Sequence, residues 1–305
     1  MTCQMRILKT IPVTPEMLHD SSIAETDCPQ WVEATEYGVG PTVRVIDEHV
    51  IYESVRDVNT GNKPKLSPTW WGVVGPTNRW APFDNKASTK LELAAGSHWY
   101  EIKPGRVITD LAVIAASGVN SVRARMIGTT GTVFDSTLVM RSQPATPRSM
   151  WSFYFERRVR QNRGVISGLT PDRHGTLRID IEAATIGARI GAIALARRHA
   201  FGVGVSTDAK LDLIDFSVLR ENQLTGEVDL KPKPPVNRMT LTIVLRRSEF
   251  DSTWEFINSL VGTSCLFQAS SEFKSMTIWG YIEAASQGPR YYNHPELNIT
   301  VRSFV

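Results

Sequence analysis

A period of two in the apolar residues dominates the sequence between residues 85 and 205. Leu177, Ile179 and Ile181 alternate with Arg178 and Asp180. This spacing predicts antiparallel strands with one buried face and one face in water. Further short apolar runs, separated by Gly, Pro or Asn, lie at residues 91–93, 99–102, 107–114, 122–126, 132–135, 151–155 and 188–196. A series of short strands without intervening helices predicts a jelly-roll-like β-sandwich over residues 85–205.

Residues 206–305 combine strand patterns with one helix pattern. The strand patterns lie at residues 212–217, 238–245, 265–268, 275–282 and 296–302, and the Pro-rich stretch 231–235 predicts an extended break. In Asp251–Gly262, an acidic residue precedes apolar residues at helical spacing, and a glycine ends the pattern. This spacing predicts a helix with Trp254, Ile257 and Val261 on one face. We therefore predict a C-terminal α+β domain over residues 206–305.

The chain before residue 85 contains two shorter units. The residue pattern of positions 1–30 predicts a strand at Met5–Ile11 followed by a polar connector. Residues 31–84 are rich in aromatic residues and predict strands at 42–47 and 50–55, followed by turn residues. A unit of about fifty residues is near the lower limit for an independent hydrophobic core. The predicted fold class is mainly β, with an N-terminal strand and arm (1–30), a small aromatic-rich β module (31–84), the jelly-roll-like β-sandwich (85–205) and the α+β domain (206–305).

The small module also carries a particular order of aromatic, turn and glycine residues. Its members are Trp31, Thr35, Tyr37, Gly40, Val43, Tyr52, Asn59, Gly61, Pro64, Pro68 and Trp70. This order resembles the small chitin-binding-type carbohydrate module. The continuation at residues 75–84, and the larger β domain behind it, resemble the tail-tip or baseplate structural proteins of long-tailed (siphovirus-type) bacteriophages.

The resemblance implies a virion protein of the tail tip or baseplate, made in the host cytoplasm and held among other phage tail proteins. It implies a homo-oligomer, a trimer or hexamer that follows tail symmetry, and attachment to a glycan on the host surface. In those tail proteins the last strands pack into a neighbour's sheet or extend it. We therefore expect residues 206–305 to be the tail-assembly domain.

Aromatic side chains of the small module are the candidate glycan-binding residues, because Trp and Tyr rings stack on the apolar face of a sugar ring. The candidates are Tyr37, Tyr52, Trp70, Trp71 and Trp80. So small a unit also needs tryptophans in its core, and we expect Trp31 and Trp70 to serve there. Because side chains alternate along a strand, Trp71 faces away from Trp70 and is expected to be the exposed ring.

No catalytic motif is present in the sequence. The patterns of phosphate-binding loops, dinucleotide-binding folds, α/β-hydrolases and zinc proteases do not occur. The six histidines and three cysteines are scattered, so we predict no catalytic residue, no metal site and no cofactor. A glycosidase pair would need acidic residues of the β region, and we expect the nearest ones to be outward strand positions: Asp110, Asp135, Asp180 and Glu182. The protein is predicted not to be an enzyme.

The charge of the chain does not indicate nucleic-acid binding, because the net charge of +3 is spread along the sequence. No apolar run is long enough for a membrane helix, so membrane insertion is not expected. The N-terminus lacks a signal-peptide pattern. The densest basic run, residues 157–163, is predicted to be a solvated hairpin, with contact to an acidic neighbour or to anionic lipopolysaccharide as a secondary hypothesis.

Two other interpretations of the whole chain stay open. The protein could be a free carbohydrate-binding protein or a glycan-degrading tail enzyme. The phage context could also hold with the β modules acting only as spacers, in which case all their tryptophan side chains would be buried.

Overall fold

The computed structural model describes residues 4–128, 131–140, 149–155, 161–206, 208–221, 228–270, 274–289 and 294–304. Strands make up 51% of the structure and helices 9%, and the sheets are antiparallel and curled. The predicted fold class, mainly β and sandwich-like, is therefore confirmed. Most of the basic run at residues 157–163 lies outside the described residues.

The described residues form 22 strands and two α-helices. The strands are β1 (Met5–Ile11), β2 (Leu18–Ser21), β3 (Thr42–Val45), β4 (Val50–Ser54), β5 (Trp71–Pro76), β6 (Leu91–Leu93), β7 (Gly96–Ile102), β8 (Asp110–Ile114), β9 (Val119–Gly128), β10 (Gly131–Val139), β11 (Gly164–Ser167), β12 (Thr176–Ala183), β13 (Ala188–Ile190), β14 (Ala192–Phe201), β15 (Gly204–Val205), β16 (Lys210–Ile214), β17 (Val218–Glu221), β18 (Val228–Lys231), β19 (Val236–Val244), β20 (Cys265–Gln268), β21 (Thr277–Gly288) and β22 (Glu296–Ser303). The helices are α1 (Met150–Phe155) and α2 (Phe250–Asn258).

The chain divides into two compact units. We call Met1–Ile11 together with Ala196–Val305 the terminal unit, and Pro12–Leu195 the central unit. The first strand, which we expected in a separate N-terminal arm, belongs to the terminal unit because β1 pairs with β20. The finer boundaries expected at residues 84 and 205 stay predictions.

One antiparallel sheet is the framework of the terminal unit. Its strands follow the order β1-β20-β21-β22-β19-β15, and β16 also pairs with β19. Apolar residues recur at every second position of β19 and β22 because one face of the sheet packs the core. These core residues are Met239, Leu241, Ile243, Leu297, Ile299 and Val301.

Helix α2 packs against this core with a face that differs from the predicted one. Of the three residues predicted to share a face, Ile257 is buried, whereas Trp254 and Val261 are 37% and 68% exposed. The buried side chains are Thr253, Ile257 and Leu260. The prediction that Val261 lies in the helix and shares this face was wrong, because the helix ends at Asn258 and the chain then turns.

The central unit contains the sandwich-like sheets. A five-stranded sheet has the order β10-β9-β12-β7-β2, β11 pairs with β8, and β6 pairs with β13. Along β12, the apolar residues of the alternating pattern are fully buried, whereas Arg178 and Asp180 are partly exposed. The period-two prediction is confirmed at this strand.

Two predicted strands of the central unit are wrong. Residues 151–155 belong to helix α1, since aromatic residues favour strands without excluding a helical turn. The run at 188–196 is divided between β13 and β14 at Gly191. A Cβ added at Gly191 would lie 2.8 Å from the Ala115 Cβ and 3.0 Å from the Ala87 carbonyl oxygen, so a side chain does not fit at this close approach.

Candidate functional site

The small module folds as a three-stranded antiparallel sheet in the order β3-β4-β5. Along β4, Tyr52 and Ser54 are buried, whereas Glu53 is exposed. Ser54 pairs with Trp71, the first residue of β5, and this register sets Trp71 on the buried side. The sheet therefore has an inner face that packs a core and an outer face in water.

Trp71 belongs to that core, which contradicts the expectation that it is the exposed ring. It is 2% exposed and packs with Val43 and Val45. Its indole Nε1 donates a hydrogen bond to the carbonyl oxygen of Asn62 at 2.8 Å. The ring of Tyr37 meets it edge to face, with 5.3 Å between the ring centroids. Alternation along the strand correctly separates the two neighbouring tryptophans but does not reveal which one faces the core.

Tyr52 and Tyr37 also have structural partners. The hydroxyl of Tyr52 donates to Glu48 Oε2 at 2.7 Å, and burial together with this hydrogen bond raises the pKa of Tyr52 to about 12. The half-buried Tyr37 accepts a hydrogen bond on its hydroxyl from the backbone N–H of Val32 at 2.9 Å. Its backbone exchanges two hydrogen bonds with Asn59. The hydroxyls of both tyrosines are therefore bonded within the module, and the Tyr52 side chain is buried.

Trp80 is buried in a polar cluster around Glu25, which the sequence pattern did not indicate. The Glu25 side chain is 6% exposed and accepts hydrogen bonds from Trp80 Nε1 and Thr77 Oγ1, both at 3.2 Å. His49 Nδ1 lies 3.0 Å from Glu25 Oε1, and its ring stacks on Trp80 with 4.5 Å between the centroids. These contacts join residues 24 and 55 positions away from Glu25, so no local spacing could have found them. We call these four residues the Glu25 cluster.

Trp70 keeps part of its ring at the surface. It is half-buried at the margin of the core, and the backbone N–H of Val55 donates to its carbonyl oxygen at 3.0 Å. The guanidinium of Arg56 lies over the indole ring, with Cζ 5.4 Å from the ring centroid. The more buried of the two tryptophans is therefore Trp71 and not Trp70, because the pairing of Trp71 with Ser54 turns it inward.

Three further residues lie on the outward side of this sheet: Glu53 of β4, Val55 directly after β4, and Gly72 of β5. Glu53, which is exposed, pairs with Gly72 in the ladder. Gly72 has no side chain, and a Cβ added there would lie 3.4 Å from Val55 Cγ1. We call Glu53, Val55, Arg56, Trp70 and Gly72 the Trp70 face. Period-two alternation along β4 would have identified Glu53 and Val55 as outward.

The Trp70 face combines the kinds of side chain that bind sugar rings in proteins. An indole ring can stack on the apolar side of a pyranose, a guanidinium donates hydrogen bonds to hydroxyls, and a carboxylate accepts them. Glu53 and Arg56 carry opposite charges, so the face suits an uncharged sugar. The arrangement therefore offers stacking and hydrogen bonds to a sugar.

A second polar surface covers the outer face of the five-stranded sheet. Arg178 contacts Asp180 (Nε to Oδ1, 3.0 Å) and Glu101 (2.8 Å), and its guanidinium lies 4.7 Å from the ring centroid of Trp99. Arg125 pairs with Asp180 at 2.6 Å. Trp99 was not among the predicted site residues, although its alternation with buried neighbours along β7 indicates an outward position. Since these charges pair with one another, the surface needs no ligand to satisfy them.

The acidic residues considered for catalysis are placed mostly as predicted. Asp135, Asp180 and Glu182 lie on strand positions that face outward, and each contacts a neighbouring polar side chain. Asp110 contradicts the prediction because it is fully buried. It lies in β8, where every residue is buried, so outward alternation does not apply.

Comparisons with protein families, with curated proteins and with solved structures give no match. In the described part of the chain, no helix is long and apolar enough to cross a membrane. Among the same residues, no group of three or more His, Cys, Asp and Glu side chains is placed to hold a metal ion. The functional interpretation therefore depends on the geometry of the Trp70 face and on the two resemblances in the sequence.

Proposed function

We propose that the protein is a structural component of a bacteriophage tail tip or baseplate that attaches to a host-surface glycan through the Trp70 face. The observation that carries the binding proposal is the partly exposed Trp70, with Arg56 Cζ 5.4 Å from the centroid of its ring and the exposed Glu53 on the neighbouring strand β4. Binding leaves the sugar intact. The resemblance of residues 31–84 to a chitin-binding-type module supports an N-acetylglucosamine-containing glycan as the ligand.

The mechanism is stacking combined with a small number of polar contacts. The apolar face of the sugar covers the free part of the Trp70 ring, and the Arg56 side chain, which is exposed, turns to donate to a hydroxyl. One such contact corresponds to a dissociation constant of roughly 1 mM, or about −4 kcal/mol. Several copies in one assembly would strengthen attachment by roughly 10²–10⁴ through multivalency.

The β17–β18 hairpin supports the assembly proposal for the terminal unit. Every described residue of both strands is exposed. Leu219 and Leu230 lie opposite each other and are 63% and 57% exposed, and Val228 on the same face is 57% exposed. A two-stranded hairpin is only marginally stable in water, and an exposed apolar face favours cover by another protein surface. Tail proteins or further copies of the chain are the proposed partners.

The glycan proposal is tested by titrating the full chain with β-1,4-linked N-acetylglucosamine oligomers in a calorimeter. We expect weak binding by the wild-type chain and at least tenfold weaker binding by Trp70→Ala, which removes the stacking ring. Trp99→Ala is the matched control, since its ring lies on another sheet, and it should bind as the wild type does. Unchanged affinity in Trp70→Ala would contradict the proposal, and shortened oligomers would favour a glycan-degrading enzyme.

The tail proposal is tested by immunogold electron microscopy of phage particles from the source strain, using an antibody against this chain. We expect label at the tail end. The double variant Leu219→Ser with Leu230→Ser should fold as the wild type does but be incorporated poorly into particles. Unlabelled particles with the protein free in the lysate would contradict the tail proposal and favour a free carbohydrate-binding protein.

A further inference from the structure

Strand β16 forms a free edge of the sheet in the terminal unit. Among the described residues it pairs with β19 alone, so its other side carries backbone N–H and C=O groups that no described strand uses. Its first four residues are exposed, and the last is half-buried. An uncovered strand edge is a template for pairing with a further strand. The partner that this edge fits is therefore a β-strand.

The core-facing side of β16 is apolar and uncovered. Leu211 lies opposite Met239, a core residue of β19, and Leu213 is on the same side of the strand. These two leucines are nevertheless 41% and 67% exposed. The apolar face of the sheet thus continues past its own core to the free edge. A strand added at this edge would place further side chains beside both leucines.

The other side of β16 carries one positive and one negative charge, on Lys210 and Asp212. Within the part of the chain that the structure describes, neither side chain enters an ion pair or a hydrogen bond. Arg238, which lies opposite Asp212 on β19, pairs instead with Glu283 at 2.9 Å. A lysine alone on an edge keeps other strands away. Opposite charges two residues apart can instead face each other across a two-fold axis, which favours pairing.

We propose that β16 pairs antiparallel with β16 of a second copy of the chain, with the two-fold axis at Leu211. Lys210 of each copy then faces Asp212 of the other, and the two Leu211 side chains meet. An axis at Lys210 or Asp212 would set like charges against each other, and an axis at Leu213 would leave both charges without a partner. A slip by one residue would bring the charged side of one strand next to the apolar side of the other. Charge and apolar side chains therefore select one register.

This inference goes beyond glycan binding and does not need a phage particle. A contact in which both copies use the same residues is the commonest arrangement in homo-oligomers. Hexamers with both three-fold and two-fold axes contain such contacts, whereas a cyclic trimer does not. Immunogold label reports the tail proposal and the oligomeric state in solution reports the β16 pairing, so either can fail without the other.

The first experiment compares full-length variants by sedimentation velocity over a range of concentrations. We expect a monomer–dimer equilibrium for the wild type. Lys210→Glu and Asp212→Lys should each weaken the dimer about tenfold, because each sets like charges against each other at two places. An equimolar mixture of the two variants should regain the wild-type strength, since the mixed pair again opposes unlike charges, and this recovery requires both variants to be folded. Leu219→Ser with Leu230→Ser, on the separate β17–β18 sheet, is the control and should dimerise as the wild type does.

A disulfide reports the register directly. Opposed residues of antiparallel strands have Cα atoms about 4.5–5.5 Å apart, within reach of a disulfide. Leu211→Cys should therefore form a covalent dimer under mild oxidation, above any background that the wild-type cysteines give. Leu213→Cys is the matched control, with the same change on the same side of the strand, and should not.

A wild-type chain that stays monomeric at every concentration would overturn the inference and leave the edge to a strand of another protein. A dimer that ignores both charge reversals, or that does not recover on mixing, would overturn it as well. Cross-linking through Leu213→Cys instead of Leu211→Cys would place the axis where neither charge has a partner, and would also contradict the proposed pairing.

Discussion

Replacing Trp71 with alanine tests which of the two neighbouring tryptophans supports the small module. Trp71 is 2% exposed, packs with Val43 and Val45, and donates to the Asn62 carbonyl oxygen. Trp70 is half-buried at the margin of the same core. Trp70→Ala is therefore a matched control, one residue away and with the same chemical change.

The expected costs differ because the two rings differ in burial. Removing a buried Trp side chain costs about 3–5 kcal/mol through lost packing and the cavity left behind. The unpaired Asn62 carbonyl adds about 1 kcal/mol. For Trp70 the smaller area removed from water corresponds to about 1–2 kcal/mol. We therefore expect Trp71→Ala to lower the free energy of unfolding of the module by at least about twice as much as Trp70→Ala.

Urea unfolding gives the overall free energies, and hydrogen exchange of the β3, β4 and β5 amides reports the module itself. We expect exchange in Trp71→Ala to accelerate across all three strands, and Trp71→Phe to be intermediate. If Trp70→Ala is the more destabilised variant, or if Trp71→Ala loses less than about 1 kcal/mol, Trp71 is not the core residue. Trp71 would then again be the candidate for the exposed, glycan-binding ring.

Three further predictions concern single contacts. Glu25→Ala removes the carboxylate that accepts hydrogen bonds from Thr77 and Trp80 and that contacts His49. It should lower the free energy of unfolding, measured by urea titration, by about 3 kcal/mol. A loss below about 1 kcal/mol would contradict a structural role for the Glu25 cluster. Gly280→Ala places a Cβ against the carbonyl oxygen of Arg302. It should lower the free energy of unfolding by about 1–3 kcal/mol, seen as a lower melting temperature. An unchanged melting temperature would mean that β21 and β22 lie further apart at this position. The pKa of Tyr52 is about 12 in the folded chain against an ordinary value of 10.0, so its contribution to stability is complete below pH 10 and is lost as the pH rises toward 12. The difference in free energy of unfolding between the wild type and Tyr52→Phe should therefore narrow between pH 10 and pH 12. A difference that stays constant over that range would contradict this prediction.

Local periodicity was enough to predict most strands of the fold. Strands β1 and β20 have the bounds expected from sequence, because short apolar runs with clear ends allow little choice. Periodicity failed where another force decides the conformation. Residues 151–155 form a helix despite a strand-like composition, and Gly191 divides one apolar run because two backbone segments approach it closely.

The sequence predicted the candidate aromatic residues but not which of them are buried. Alternation shows that Trp70 and Trp71 face opposite ways, but the choice of inner face depends on the pairing of Trp71 with Ser54 on another strand. The burial of Trp80 depends on Glu25, which is 55 positions away. Contacts of that length are set by the tertiary fold and leave no local signal. The aromatic composition drew attention to residues 31–84, and burial distinguishes the partly exposed Trp70 from the buried Trp71 and Trp80.

The most direct measurement is a titration of the isotope-labelled full chain with β-1,4-linked N-acetylglucosamine oligomers, following the indole N–H resonances of its eight tryptophans by NMR. Each resonance can be assigned from the corresponding Trp→Phe variant. We expect the resonance of Trp70 to move progressively with added oligomer, while those of the buried Trp71 and Trp80 stay in place. If no indole resonance moves, or if only that of Trp99 moves, the Trp70 face is not the glycan-binding surface.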